Sequence, residues 1–185
     1  MRKSLDTGAI TDPRDGRTYK IVRIGSQVWM AENLHFQHAN AKCYENNLEY
    51  AEKYGLLYNW ETAMKVAPPG WHLPSDEEWQ ALVDLAGGNK IAGTKLKAKK
   101  GWDNNGNGTD DFEFSALLGG FGSSYGDFCG VVYDGRWWGS ESKFNRKYAC
   151  SWQMGYHSES AGWFSCLKSN LNSVRCVLDV EKPND

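Results

Sequence analysis

The strongest structural signal in the chain is the stretch Gly70-Trp71-His72-Leu73-Pro74-Ser75-Asp76-Glu77-Glu78-Trp79. Its Ser75 can accept a hydrogen bond from the backbone of a first helical turn, and Glu78, three residues later, can reach back to the Ser75 backbone. Apolar residues then recur at helical spacing, until Gly87-Gly88 ends the pattern, at Trp79, Leu82, Val83 and Ala86. The stretch therefore predicts a capped helix that buries one face.

A second helix and a hairpin are predicted upstream of this stretch. Apolar residues recur at helical spacing at Trp60, Ala63, Met64 and Ala67, and Pro68-Pro69-Gly70 ends that pattern. Two earlier apolar-rich runs, residues 19–24 and 27–30, are joined by Gly25-Ser26, a pair that supplies the positive φ of a tight turn. We expect a β-hairpin there.

After residue 100, glycine and asparagine interrupt the chain and helical periodicity disappears. Asp134-Gly135 is typical of a tight hairpin turn, so we predict a hairpin between Val131-Val132-Tyr133 and Arg136-Trp137-Trp138, with both tryptophans packed in the core. Further strands are predicted at residues 148–154, 163–167 and 173–178. Two helices followed by short, loop-rich strands indicate the α+β class.

The composition favours one domain that does not bind nucleic acid. The 185 residues, 41% of them hydrophobic, can bury a substantial core, and we expect a single domain over residues 9–179 with a tail at 180–185. The net charge of −2 is too small to hold nucleic acid or an anionic membrane. We interpret the one basic run as the solvated face of a strand or extended loop, formed by Lys95, Lys97, Lys99 and Lys100.

The sequence shows no sign of a membrane span or a leader. No apolar run approaches the roughly 20 residues that cross a bilayer, and residues 1–8 lack the apolar core of a signal peptide. We therefore expect a soluble chain without direct membrane insertion, extracellular or on the cell surface if a leader was removed and cytoplasmic otherwise. The five cysteines form no Cys-x-x-Cys motif, and their odd number leaves at least one thiol unpaired in a monomer.

Several strings of the chain occur in an order and at a spacing typical of a known family. They are Gly25-Ser26-Gln27-Val28-Trp29-Met30-Ala31-Glu32-Asn33-Leu34, Tyr54-Gly55-Leu56-Leu57-Tyr58-Asn59-Trp60, the 70–79 stretch quoted above, Phe114-Ser115-Ala116-Leu117 and Ser173-Val174-Arg175-Cys176-Val177. Together they resemble the Fibrobacter succinogenes major paralogous domain family, from about residue 10 to residue 179.

The resemblance implies a C-type-lectin-like fold with two helices and short, loop-rich antiparallel strands. That wider group also contains the formylglycine-generating and sulfatase-modifying enzymes and the variable proteins of diversity-generating retroelements. In such folds the chain ends meet in one sheet, and long loops between late strands carry the site. Many family members have cysteines, expected to partner Cys43 and Cys176, where this chain has Ala51 and Ala67, so the usual disulfides are not implied here.

A loop rich in asparagine and glycine is a candidate calcium site. Side-chain oxygens occur at alternate positions, with Gly108 at the sixth place as in a calcium loop, at Asp103, Asn105, Asn107, Thr109 and Asp111. The twelfth place holds Phe114 instead of a bidentate glutamate, which predicts weak binding. The alternative is a surface loop held by its own side chain to backbone hydrogen bonds.

No arrangement of residues along the sequence predicts catalysis. No nucleophile stands beside a base, and no paired-carboxylate motif is present. Cys150 and Cys166 are the only cysteines that resemble the close pair of a formylglycine-generating enzyme, and they lie too far apart along the chain to match it. We therefore expect no enzymatic activity and name no catalytic residue.

Residues 150–172 interleave aromatic and polar side chains with serine and glycine, a mixture like that of antibody paratopes. In the retroelement variable proteins, the region just before the Arg-Cys-Val strand is the part that is diversified. The side chains expected to point outward and bind a ligand are Tyr156, His157, Glu159, Trp163, Phe164, Cys166 and Asn170. An ordinary irregular β region is the alternative for this segment.

These observations favour a non-catalytic domain that binds a glycan or a protein, either a surface adhesin or a diversified retroelement variable protein. Two other functions stay open. One is an enzyme related to the sulfatase-modifying factors, and the other is a purely structural surface module.

Overall fold

The computed structural model describes residues 7–143 and 146–179, so the predicted tail at 180–185 lies outside the described residues. The strands are β1 (Thr7–Thr11), β2 (Thr18–Ile24), β3 (Gln27–Met30), β4 (Leu57–Tyr58), β5 (Trp71–His72), β6 (Phe121–Gly122), β7 (Phe128–Cys129), β8 (Asp134–Lys143), β9 (Tyr148–Gly155), β10 (Ala161–Leu167), β11 (Asn172–Ser173) and β12 (Val177–Leu178). The helices are α1 (Leu48–Tyr54), α2 (Trp60–Ala63), α3 (Asp76–Leu85) and α4 (Ala92–Leu96), with a 3-10 turn at Tyr44–Asn46.

Two five-stranded sheets organise the chain, and a two-stranded ribbon of β6 and β7 accompanies them. The first sheet has the order β1-β2-β3-β12-β5, so the first and last described strands share it. The second has the order β10-β9-β8-β11-β4 and is antiparallel except where β11 runs parallel to β8. Helices and antiparallel strands in one chain confirm the α+β class.

Both predicted helices are present. Ser75 caps α3 by accepting a hydrogen bond from the Glu78 backbone, and the Glu78 carboxylate accepts one from the Ser75 backbone, 2.8 Å away. The helix predicted around Trp60 is the four-residue α2. The structure adds α1 and α4, short helices whose few buried side chains give no clear periodicity.

The predicted hairpin at residues 19–30 is confirmed, because Ile24 pairs with Gln27 and Gly25 adopts a φ of 63°. The predicted hairpin around Asp134-Gly135 is wrong. Tyr133 and Asp134 both donate backbone hydrogen bonds to the Gly130 carbonyl, and β8 begins at Asp134. Glycine is needed at 135 for a different reason: a Cβ there would lie 2.3 Å from the Trp137 ring.

Residues 173–178, predicted as one strand, form parts of two strands that belong to different sheets. Ser173 pairs with Leu57 in the second sheet, and Val177 pairs with Trp29 in the first. Between them the chain is buried, including the guanidinium of Arg175. This crossing joins the two sheets.

Successive tryptophans on β8 face two apolar cores. Trp137 belongs to the first core together with Trp29, Trp79 and Trp152, and Trp138 belongs to the second together with Tyr58 and Cys176. The second sheet is therefore buried on both faces near its centre, as the alternation of side chains along a strand requires. The predicted core positions of the two β8 tryptophans, and of Trp29 and Trp79, are confirmed.

One imidazole links the last strand to the start of α3. His72 Nδ1 lies 2.6 Å from Asp179 Oδ1, and its Nε2 lies 2.9 Å from both Glu78 carboxylate oxygens. Hydrogen bonding to Glu78, reinforced by Asp179 against the effect of burial, raises the pKa of His72 to about 9. The protonated imidazole thus bridges two carboxylates from distant parts of the chain.

The His72 bridge should make stability fall at alkaline pH. The folded pKa of about 9 exceeds the unfolded value, so the stabilisation is complete below about pH 6.5 and is lost as pH rises through about 9. Thermal unfolding of the wild type and of His72→Gln from pH 6 to 10 measures this. We expect the difference in melting temperature between the two proteins to shrink as pH rises; parallel curves would contradict the assignment.

Candidate functional site

Six of the seven predicted ligand-binding residues are exposed or half-buried on or near β10, the edge strand of the second sheet. Trp163 lies directly opposite Trp152 on β9, so the two side chains share a face, whereas Phe164 lies opposite Ser151 and points the other way. Although it shares a face with the first core, Trp163 keeps 46% of its surface exposed. An edge position explains this, since no further strand pairs beyond β10 among the described residues.

Two residues of the turn between β9 and β10 meet Tyr133, the residue before β8, in an aromatic cluster, which we define as Tyr133, Tyr156 and His157. The rings of Tyr133 and Tyr156 have centroids 5.1 Å apart, and the Tyr156 and His157 rings meet edge to face at 4.9 Å. The Tyr156 backbone also donates a hydrogen bond of 2.8 Å to the Tyr133 carbonyl. Tyr133 is exposed and was missed, because the sequence assigned its segment to a hairpin strand.

Cys166 was expected to point outward, and that expectation is wrong. It is 4% exposed and belongs to the second core, and it accepts weak hydrogen bonds from the amides of Asn170 and Asn172, at 3.4 and 3.8 Å. Burial raises the pKa of the Cys166 thiol. Phe164 is only half-buried and packs against the same core, with the Arg136 guanidinium 5.0 Å from its ring. This face therefore offers a ligand Phe164 and Asn170 but not the thiol.

Glu159 is exposed in the turn, whereas its backbone is fixed by α4. The Thr94 backbone donates a hydrogen bond of 3.1 Å to the Glu159 carbonyl. The basic run was interpreted as a solvated face, and this interpretation is wrong for Lys97, which lies just after α4. It is 3% exposed, and its ammonium donates to the backbone of the same turn.

The side chains of the candidate calcium loop take part in hydrogen bonds within and around the loop. Asn107 Oδ1 accepts from the Trp102 backbone, Asp103 Oδ2 accepts from the Asn104 amide, and Thr109 donates to the Thr94 carbonyl. Asn105 and Asp111 are exposed. Within residues 7–143 and 146–179, no group of three or more His, Cys, Asp or Glu side chains is placed to hold a metal. Calcium binding stays a prediction.

The two cysteines compared with an enzymatic pair lie on opposite faces of the second sheet. Cys150 belongs to the first core and Cys166 to the second, on neighbouring antiparallel strands. Backbone lies between the two thiols, so they cannot act as a pair without refolding of β9 and β10.

The predicted ligand residues lie outside two cavities on the described part of the chain. One cavity of about 680 Å³ is lined by β1, β2 and residues 110–117, and another of about 80 Å³ by residues such as Tyr19, His35 and Glu52. Among the described residues, none of the seven lines either cavity. Tyr133, His157 and Trp163 are exposed, whereas Tyr156, which was expected to point outward, is half-buried and packs against the first core. The described residues also include no helix long and apolar enough to cross a membrane.

Comparison with known proteins gives one finding. The family model described as the Fibrobacter succinogenes major domain matches residues 22–178, which is most of the chain. No curated protein and no solved structure gives a significant match.

Proposed function

We propose that this chain, which belongs to the Fibrobacter succinogenes major domain family, is a non-catalytic module that binds a glycan or a protein at its surface. The proposed binding surface comprises Trp163 and the aromatic cluster, with Glu159, Phe164 and Asn170 around them. A C-type-lectin-like relation, and a history as a surface adhesin or a diversified retroelement variable protein, belong to the same proposal.

The observation that carries this proposal is the exposure of Trp163. The other eight tryptophans are buried or half-buried, and five of them are among the largest fully buried side chains. Leaving an indole in water forgoes the free energy that its burial would give, and exposed tryptophan and tyrosine are enriched where proteins meet their ligands. Trp163 can stack on a sugar ring or fill a pocket on a protein partner.

An open surface favours a large ligand over a small one. Small-molecule sites are concave and bury most of their ligand, whereas the aromatic cluster and Trp163 lie outside the two cavities described above. Aromatic anchors among serine and glycine give a contact patch that loses little conformational entropy on binding. A protein surface or an extended glycan fits this description.

Trp163→Ala should weaken ligand binding by about tenfold or more, because an aromatic anchor buried by a partner is worth about 2 kcal/mol. Its melting temperature should stay within about 2 °C of the wild type, as expected for a surface substitution. A glycan array and a pull-down from likely host cells, each run with both proteins, measure binding.

Leu48→Ala is the matched control, since Leu48 is 71% exposed on α1, a helix that contributes no residue to the proposed surface. A ligand retained by the wild type and by Leu48→Ala but lost by Trp163→Ala supports the proposal. Equal retention by all three proteins places the site elsewhere, and a large drop in the melting temperature of Trp163→Ala makes this residue structural.

A further inference from the structure

Lys97 occupies an unusual position for a lysine. Its ammonium lies 3.1 Å from the Gly155 carbonyl and 2.9 Å from the Ser158 carbonyl, and 5.1 Å from the Trp102 ring centroid. The two carbonyls stand on either side of Tyr156 and His157 in the chain. One side chain therefore ties together both ends of the segment that carries two members of the aromatic cluster.

The charge of Lys97 is costly at this position. Within the described parts of the chain, no carboxylate lies within salt-bridge distance of its Nζ, and burial lowers the pKa of Lys97 against the attraction of Glu159. An apolar side chain of similar length would avoid the desolvation, but it would leave the two carbonyls without their donor. A lysine at position 97 is therefore explained by the hydrogen bonds that its ammonium donates to the turn.

Backbone contacts pack the same turn from α4 and from the 103–111 loop. A Cβ on Gly106 would lie 2.4 Å from the Tyr156 carbonyl oxygen, and a Cβ on Gly93 would lie 2.3 Å from that of Ser160. Gly108 approaches Lys97 as closely, with a hypothetical Cβ 2.3 Å from the Lys97 carbonyl oxygen. Close approach to the turn explains Gly93 and Gly106, and close approach to Lys97 explains Gly108, without a bound ion.

We propose that Lys97 is a positioning residue for the proposed binding surface: it fixes the 155–160 turn so that the aromatic cluster is preorganised before a ligand arrives. A preorganised surface loses less entropy on binding, so Lys97 should set affinity without touching the ligand. The effect on affinity rests on the proposed function, but the claim that Lys97 fixes the turn can be tested with the protein alone.

The test compares Lys97→Met with Lys99→Met, because methionine keeps most of the stem and removes the ammonium, and Lys99 is an exposed neighbour. Hydrogen exchange of peptides that cover residues 155–160 should be at least about tenfold faster in Lys97→Met, as expected for losing hydrogen bonds from a charged donor. Peptides from β8 and α3 should exchange as in the wild type. Unchanged exchange in the turn, or an equal increase everywhere, overturns the proposal.

Ring-current shifts distinguish a positioning role for Lys97 from a role in filling the core, because only the positioning role predicts a change at His157. The His157 ring protons should shift toward random-coil values in Lys97→Met, because the edge contact with Tyr156 is lost, while the indole N–H signals of Trp137 and Trp138 stay in place. Retention of the His157 shifts would contradict the inference. Since no ligand is involved, failure here leaves the Trp163 experiment unaffected.

Gly106→Ala provides a second variant if Lys97→Met does not fold. Its new methyl group would press on the Tyr156 backbone, whereas Gly162→Ala adds a methyl group with only the Asn89 amide at 4.0 Å. We expect faster exchange in the turn for Gly106→Ala and wild-type exchange for Gly162→Ala. Identical exchange in the two alanine variants would show that the contact between the 103–111 loop and the Tyr156 backbone does not hold the turn.

Discussion

Arg175→Met should destabilise the protein by about 3 kcal/mol or more, because the buried Phe114 carbonyl, the half-buried Ser115 carbonyl and the buried Asn33 Oδ1 would lose a charged hydrogen-bond donor. The Arg175 guanidinium is fully buried and donates to the carbonyls of Phe114 and Ser115 and, at 3.0 and 3.2 Å, to Asn33 Oδ1. Burial lowers the pKa of Arg175 to about 9. The side chain thereby joins the crossing between the sheets to the 110–117 segment.

The fork of the guanidinium is as important as its charge. Ser115 holds a φ of 50°, in the left-handed region that costs energy for a residue with a side chain. Asp110 accepts hydrogen bonds from the Ser115 backbone and hydroxyl, and Arg175 donates to the carbonyls of Phe114 and Ser115. A lysine ammonium cannot reproduce this planar set of donors. We therefore expect Arg175→Lys to recover only a minor part of the lost stability.

Denaturant unfolding of the two variants measures the loss, and Arg17→Met is the control. Arg17 pairs with Glu52 at 2.9 Å on the surface, where an ion pair contributes about 0 to 1 kcal/mol. A loss for Arg175→Met no larger than that for Arg17→Met would show that the buried network does not hold the two sheets together.

The features that the sequence predicted well are those set by neighbours in the chain. The capping box of α3 depends on Ser75 and Glu78 within one turn, and the first hairpin depends on Gly25 between two apolar runs. The sequence strings that resemble the family also predicted the order of these elements along the chain. No such local rule describes α4, whose buried side chains have partners far away in the sequence.

The wrong predictions at Gly135 and Lys97 arise from contacts that the neighbouring sequence does not reveal. Gly135 resembles a turn residue locally, but the Trp137 ring and the Leu117 carbonyl require it inside β8. Lys97 belongs to a basic run, yet its ammonium meets carbonyls 58 and 61 positions away. Sequence alone does not show that these groups will meet.

For the residues of β10, the alternation of side chains between the two faces of the strand decides which of them a ligand can reach. Trp163 faces outward at the sheet edge, and Cys166, three residues later, points to the opposite face and into the second core. The sequence identified the 150–172 segment, but it did not reveal the register of β9 against β10, which decides the face on which each side chain lies. Tyr133, from outside that segment, joined the aromatic cluster only through folding.

Trp79→Ala should destabilise the protein by about 4 kcal/mol, within the range of large truncations in a core. The Trp79 ring stacks on Trp152 at 5.7 Å with 15° between the planes, and it meets Trp29 at 4.8 Å and Phe114 at 6.0 Å. It therefore connects α3 to both sheets. The surrounding rings are large and mutually braced, so they cannot collapse into the space that an alanine leaves.

Trp79→Phe separates ring packing from polar contacts in this prediction. Because Trp79 Nε1 makes no hydrogen bond within the described residues, phenylalanine removes no bonded donor and should cost less than half as much as alanine. Unfolding curves for the two variants, with Trp163→Ala as the exposed reference, measure the difference. If alanine at 79 costs no more than alanine at 163, the aromatic stack between α3 and the sheets does not stabilise the fold.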